Sequence, residues 1–180
     1  MGFDKDLSTN KWSKPKLLEF CSPDESQATI GISGDGEKLF IYQSRIDSDE
    51  EIYYTSRDQD YYRLKPLQIF NTPSWENHVT ISADEKTLFF VSDRPGGLGG
   101  TDIWRCVKLP NGEWSKPFNL GPPINSSYNE QSPYIHPDGK TLYYSSDGEY
   151  SMGGYDIFYS KKIDNLKWSN PINMGFPLNT

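Results

Sequence analysis

Apolar and polar residues alternate along this chain with a period of two, in runs too short for any amphipathic helix. The runs recur in a fixed order. An apolar run leads to a turn with Asp, a second apolar run follows, then a Gly- or Asp-rich loop, then an acid, Ile and an aromatic. The clearest copies are Ile-Ser-Ala-Asp-Glu-Lys-Thr-Leu-Phe-Phe at 81–90 and Ile-His-Pro-Asp-Gly-Lys-Thr-Leu-Tyr-Tyr at 135–144, with a third at 32–41. Aligned on the turn residues Asp35, Asp84 and Asp138, the copies also superpose Leu39, Leu88 and Leu142, then Phe40, Phe89 and Tyr143. Ile52, Ile103 and Ile157 share one phase, each preceded by an acid (Glu51, Asp102, Asp156) and followed by an aromatic (Tyr53, Trp104, Phe158). A Trp-Ser-x-Pro segment closes the unit at 12–15, 114–117 and 168–171, with a degenerate copy at 62–66.

Each unit reads as four strands. The first is expected near 28–33, 77–82 and 131–136, the second near 38–43, 87–92 and 141–146. The third is expected near 51–56, 102–108 and 155–161, the fourth near 61–69, 113–120 and 167–174. Asp-Gly at 35–36 and 138–139 supplies the hairpin turn, because Gly accepts the positive φ such turns need. A repeat of four short strands is the mark of a propeller blade. The expected fold is therefore all-β: a β-propeller of four-stranded antiparallel blades in one domain over 1–180. It has three complete blades at about 19–70, 71–120 and 121–176, and a lone outer strand at 12–18.

Composition agrees. Hydrophobic content is only 34%, but aromatics reach 14%, and these suit strands and cover much area each. The net charge of −7 argues against nucleic acid, which needs a basic surface. There is no apolar run long enough to insert in a membrane and no signal peptide in the chain. Cys21 and Cys106 fall at different phases of the repeat, so two unpaired thiols are expected.

Three segments carry a family likeness: residues 132–147, 153–160 and Ser-Asp-Arg-Pro-Gly-Gly-Leu-Gly-Gly-Thr-Asp-Ile-Trp at 92–104. They resemble the WD-like β-propeller repeats of the TolB type, most of all those found beside OmpA-like domains in bacterial envelope proteins. The resemblance implies a periplasmic or outer-membrane-associated module. The first copy departs most: Gln43-Ser44-Arg45 replaces Ser92-Asp93-Arg94, and its loop lacks the Gly pairs. Three blades are too few to close a ring, since propellers have four to eight. The expectation is a partial propeller, part of a larger one, or a homo-oligomer of two copies completing six blades.

Strand direction alternates, so the second-to-third-strand loops (92–101, 146–154) share one face with the connections between blades (70–77, 121–130). Rigid scaffolds hold ligands in such loops. The candidate binding residues there are Trp75, Glu76, Asp93, Arg94, Tyr128, Glu130, Asp147 and Tyr150. Glu76 and Glu130 are equivalent and either edge an acidic channel mouth or bond to a neighbouring blade. Asp93 and Asp147 can offer carboxylates to Ca²⁺, but no loop has dense calcium-loop spacing, so no metal and no cofactor is expected. Trp75, Arg94, Tyr128, Tyr150 and Met152 either stack on a sugar, anchor a peptide, or pack between blades. Asp102, Asp156 and Glu51 recur in every copy and are expected to cap the adjacent loops. His78 and His136, the only histidines, are not equivalent. No G-x-S-x-G, H-E-x-x-H or phosphate-loop motif is present. The preferred function is a non-catalytic module binding a protein or glycan. The alternatives are a propeller glycan hydrolase or lyase, the propeller part of a peptidase, and a self-assembling repeat fragment.

Overall fold

The computed structural model describes residues 5–6, 8–14, 26–45, 48–57, 63–67 and 72–180. Three antiparallel four-stranded sheets follow one another along the chain, and no α-helix occurs among the described residues. The first holds β3 (Ser26–Ile32), β4 (Lys38–Arg45), β5 (Ser48–Ser56) and β6 (Lys65–Pro66). The second holds β7 (Glu76–Ile81), β8 (Thr87–Ser92), β9 (Asp102–Val107) and β10 (Phe118–Asn119). The third holds β11 (Glu130–Ile135), β12 (Thr141–Ser146), β13 (Asp156–Lys161) and β14 (Ile172–Asn173). Each sheet keeps its strands in sequence order, as a propeller blade does.

The alternation works on both faces of each sheet. Phe89, Ile103 and Leu120 leave the second sheet on one side and bury against Ile135, Leu142, Tyr144, Phe158 and Trp168 of the third. On its other side Leu88, Phe90, Trp104 and Cys106 bury against Phe40, Ile52 and Leu67 of the first. Each such side chain contributes about 1.5–3 kcal/mol when buried. The core is thus made between blades, and a blade has no interior of its own. Burial pushes the Cys106 thiol up to about 11, so it is an inert core group. Cys21 lies outside the described residues.

The turns between the first two strands of each sheet are held by their Asp. The Asp84 carboxylate accepts from the Ser82 hydroxyl at 2.6 Å and the Lys86 N–H at 3.1 Å, and Asp35 repeats the arrangement with Ser33 and Glu37. Asp138 accepts instead from Lys140 N at 2.7 Å and from both the N–H and the hydroxyl of Thr141 at 2.9 Å.

Two expectations need correction. The outer strand is far shorter than the sequence pattern suggests: only Phe118–Asn119 and Ile172–Asn173 form ladders, after single bridges at Trp114 and Trp168. Pro117 and Pro171 cannot donate to the ladder. The serine of Trp-Ser-x-Pro compensates: Ser115 N donates to Val107 O, and its hydroxyl accepts from Val107 N at 3.0 Å. The other difference is in the first sheet, where β4 and β5 run on to pair Arg45 with Ser48. At the N-terminus Lys11–Trp12 (β2) pairs with Lys5–Asp6 (β1) as a hairpin; of the expected outer strand at 12–18 only Trp12 belongs to it, and residues 15–18 lie outside the described residues.

Candidate functional site

The loop face forms where a loop of one blade meets the connection into the next. Between blades two and three, Gly100 N donates to Tyr128 O at 3.1 Å, Glu130 N donates to Thr101 O at 2.8 Å, and Thr101 bridges Asn129. Asn125 pins the connection from below. Its side chain accepts from Ile103 N and donates to Ile103 O, both at 2.9 Å, adding a rung to the edge of β9.

Asp102 and Asp156 cap their own loops. Asp102 Oδ2 accepts from Leu98 N at 2.8 Å, and Asp156 Oδ2 from Met152 N at 2.6 Å. Asp93 and Asp147 accept from the main-chain N–H of Trp75 (2.9 Å) and Asn129 (2.8 Å), so both tie a loop to a connection. Among the described residues no His, Cys, Asp or Glu set is grouped to hold a metal ion.

Glu76 and Glu130 occupy equivalent buried places with unequal partners. Glu76 accepts from the Thr72 hydroxyl, and its Oε1 pairs with Arg94 at 2.8 Å. The Arg94 guanidinium lies 4.7 Å above the Phe90 ring and 5.5 Å from that of Trp104, and its Nε donates to the Ser92 hydroxyl at 3.1 Å. Glu130 accepts from the Ser126 hydroxyl at 2.6 Å, Ser126 N at 3.0 Å and the Ser146 hydroxyl at 3.1 Å. No cation among the described residues pairs with it. Burial pushes its carboxyl above the ordinary 4.5, against the pull of those hydrogen bonds. Burial and the nearby Glu130 charge likewise push the Tyr144 hydroxyl up.

This asymmetry opens a cavity of about 460 Å³ on the third blade, with Tyr144, Phe158, Glu130 and Ser146 in its lining. Tyr128 and Tyr150 stand at it with exposed rings, 44% and 76% accessible. The Tyr150 main chain is fixed, since its carbonyl accepts from the Asn173 side chain at 2.9 Å. Of the eight candidate residues, the structure gathers Tyr128, Glu130 and Tyr150 at the cavity and Asp147 beside it through Asn129. Trp75, Glu76, Asp93 and Arg94 form the equivalent group on the second blade. Gly148, which also lines the cavity, was not singled out by sequence reasoning. Its signal was available, for it stands where the second copy has Arg94.

The raised carboxyl of Glu130 gives a prediction. A folded-state value above the unfolded one means the fold holds the proton more tightly. That contribution is complete below the unfolded value and is lost as pH rises through the folded one. Urea unfolding at a series of pH values should therefore show wild type losing stability relative to Glu130→Gln as pH rises from about 4.5. A constant difference between the two across the series would contradict it.

No protein-family model matches the chain, and no curated protein matches it. Solved structures do. The TolB crystal structure from Acinetobacter baumannii superposes with a TM-score of 0.60 at 19% identity, over 94% of this chain and 36% of that one. A TolB structure from Agrobacterium tumefaciens gives 0.59 at 18% identity, over 84% of this chain and 52% of that one. The chain thus spans between about a third and a half of the length of these structures. The likeness establishes the fold as a TolB-like propeller with three blades described.

Proposed function

We propose that this chain is a non-catalytic propeller module that binds a protein or glycan partner in the bacterial cell envelope, at the periplasmic or outer-membrane side. One contrast carries the reading. On the loop face, Glu76, Asp93, Asp102, Glu130, Asp147 and Asp156 all accept hydrogen bonds that fix the loops and connections of their own blades. The aromatic rings of Tyr128 and Tyr150 instead face solvent over a cavity. Rigid, exposed aromatics on a fixed main chain suit recognition, because they offer area at small entropic cost. The envelope setting rests on the TolB likeness and on the family resemblance of residues 92–104, 132–147 and 153–160.

A glycan array and a pull-down from envelope extract, each followed by a turnover assay on any hit, test this. Tyr150→Ala should weaken capture at least tenfold with the ligand recovered intact. Cleavage of a bound glycan or peptide that stops on replacing one carboxylate would establish the enzyme alternative instead.

A second reading, closure by self-assembly, draws on the outer face of the third sheet. Ile157 is 39% exposed where its equivalent Ile103 is fully covered, and Leu178 is 59% exposed where Ile124 is 2%. That face matches the surface each earlier blade buries against the next one. Light scattering on the purified chain decides it: a dimeric mass supports a six-bladed ring, and a monomer at all concentrations excludes one.

A further inference from the structure

The second and third blades superpose at a constant offset from Thr72/Ser126 to Trp114/Trp168, so each blade is a control for the other. In the second, the Arg94 guanidinium is enclosed by four groups. Phe90 and Trp104 give it aromatic surface, Glu76 an ion pair, and the Ser92 hydroxyl a hydrogen bond. In the third, all four have counterparts: Tyr144, Phe158, Glu130 and Ser146. All four line the cavity. The only member missing is the arginine, because Gly148 stands at its position.

The main chain is unchanged there. Arg94 N and Gly148 N each donate to the serine two residues before, Ser92 or Ser146, at 3.1 Å. The next residue changes too, from Pro95 to Glu149, which also lines the cavity. The third blade thus loses a cation and gains a carboxylate at one site. Glu130, 1% exposed, keeps acceptor capacity beyond its two serine partners.

Resting on the reading of this chain as a binding module, we propose that the cavity of the third blade receives an arginine side chain of a partner protein, in the place that Arg94 fills within the second blade. The guanidinium stacks against Tyr144 and Phe158 and pairs with Glu130. Tyr128 and Tyr150 close over its aliphatic stem, and Glu149 faces its open side. Arginine suits such a site better than lysine, because its planar fork both stacks on rings and donates in several directions.

The test is calorimetric titration of the full chain with N-acetyl-arginine amide, against its citrulline and lysine counterparts. Citrulline has the same shape without the charge. The arginine compound should bind at least tenfold more tightly than citrulline and more tightly than lysine. Gly148→Arg supplies the side chain in cis. A Cβ at Gly148 meets Ser146 Oγ at 3.1 Å and Tyr128 Cδ2 at 3.6 Å, so only a small shift of the serine hydroxyl is needed. This variant should abolish arginine binding while remaining folded with an equal or higher melting temperature. In wild type, resonances of the Tyr144 and Phe158 rings should shift on titration, a readout that depends on no variant. Equal affinity for arginine and citrulline overturns the proposal, as does undiminished binding in folded Gly148→Arg or ring shifts confined to other blades. A partner or glycan captured through Tyr150 yet indifferent to arginine amide and to Gly148→Arg overturns this inference alone and leaves the binding-module reading standing.

Discussion

Gly99→Ala should lower the unfolding free energy by about 2–4 kcal/mol, although it adds one methyl group to a loop. An ideal Cβ at Gly99 lies 1.8 Å from Tyr128 O and 2.8 Å from Ser126 O. Both obstacles are main-chain atoms of the connection between blades, and that connection is anchored on either side by Asn125 and Glu130. Neither side can yield as a flexible side chain would. The loop must lift, which costs the packing strain of a small-to-large change, about 1–3 kcal/mol. Lifting also breaks the Gly100 N–H bond to Tyr128 O; Gly100 is exposed, so the freed donor turns to water and the loss adds about 0.5–1.5 kcal/mol. The sum is taken near its middle because the loop can relax partly. Gly154→Ala is the control. It is the third-blade equivalent of Gly100, has no atom within 4 Å of its added Cβ and has no positive φ, so its effect should stay within about 0.5 kcal/mol. Urea unfolding followed by tryptophan fluorescence measures both. Comparable losses in the two variants would show that general loop stiffness, and not this backbone contact, sets the cost.

What the sequence made legible follows from what repetition encodes. Strand order and the middle strands were readable because Leu88, Phe89 and Phe90 must serve two interfaces at once, and that demand writes the same apolar run into every copy. The capping role of Asp102 and Asp156 was readable for the same reason. The outer strand was misread because Trp-Ser-x-Pro has strand-like content, whereas Pro117 removes a donor and the Ser115 side chain stands in for part of the ladder. No periodicity reports such a substitution. The candidate site was half legible. Its rim, Tyr128 and Tyr150, was accessible as aromatics that break the pattern. Its floor was not, since Tyr144 and Phe158 read as core and are core; only the missing side chain at Gly148 exposes them to a cavity. Glu76 and Glu130 looked interchangeable by alignment, yet one has its cation within the blade and the other has none among the described residues.

Asn125→Ala and Asn179→Ala remove the same side chain from the same place in successive repeats, and they should differ several-fold in cost. Asn125 bonds both main-chain groups of Ile103, and Asn179 both of Ile157, at 2.8–2.9 Å. Each also donates to the preceding asparagine, Asn119 at 2.8 Å or Asn173 at 2.6 Å. The contacts match, but the surroundings do not. The Asn125–Ile103 bonds are buried under the third blade, and water cannot replace them. The Asn179–Ile157 bonds are only partly buried, beneath a sheet face that remains open. Removing one partner of a buried hydrogen bond costs about 1–3 kcal/mol, because the orphaned group pays its full desolvation, whereas an exposed orphan turns to solvent. The Ile103 N–H is orphaned, while its carbonyl loses one of two bonds and keeps Leu120 N at 3.1 Å, so Asn125→Ala should cost about 2–4 kcal/mol and Asn179→Ala no more than about 1 kcal/mol. Urea denaturation of the purified variants gives both numbers. The ratio carries a second meaning: if a second copy or a further blade covers the outer face of the third sheet in solution, Ile157 becomes as buried as Ile103 and the two losses converge. Unequal losses that become equal as protein concentration rises would place a second copy on that face. Losses that stay unequal at every concentration would mean the face is open to water.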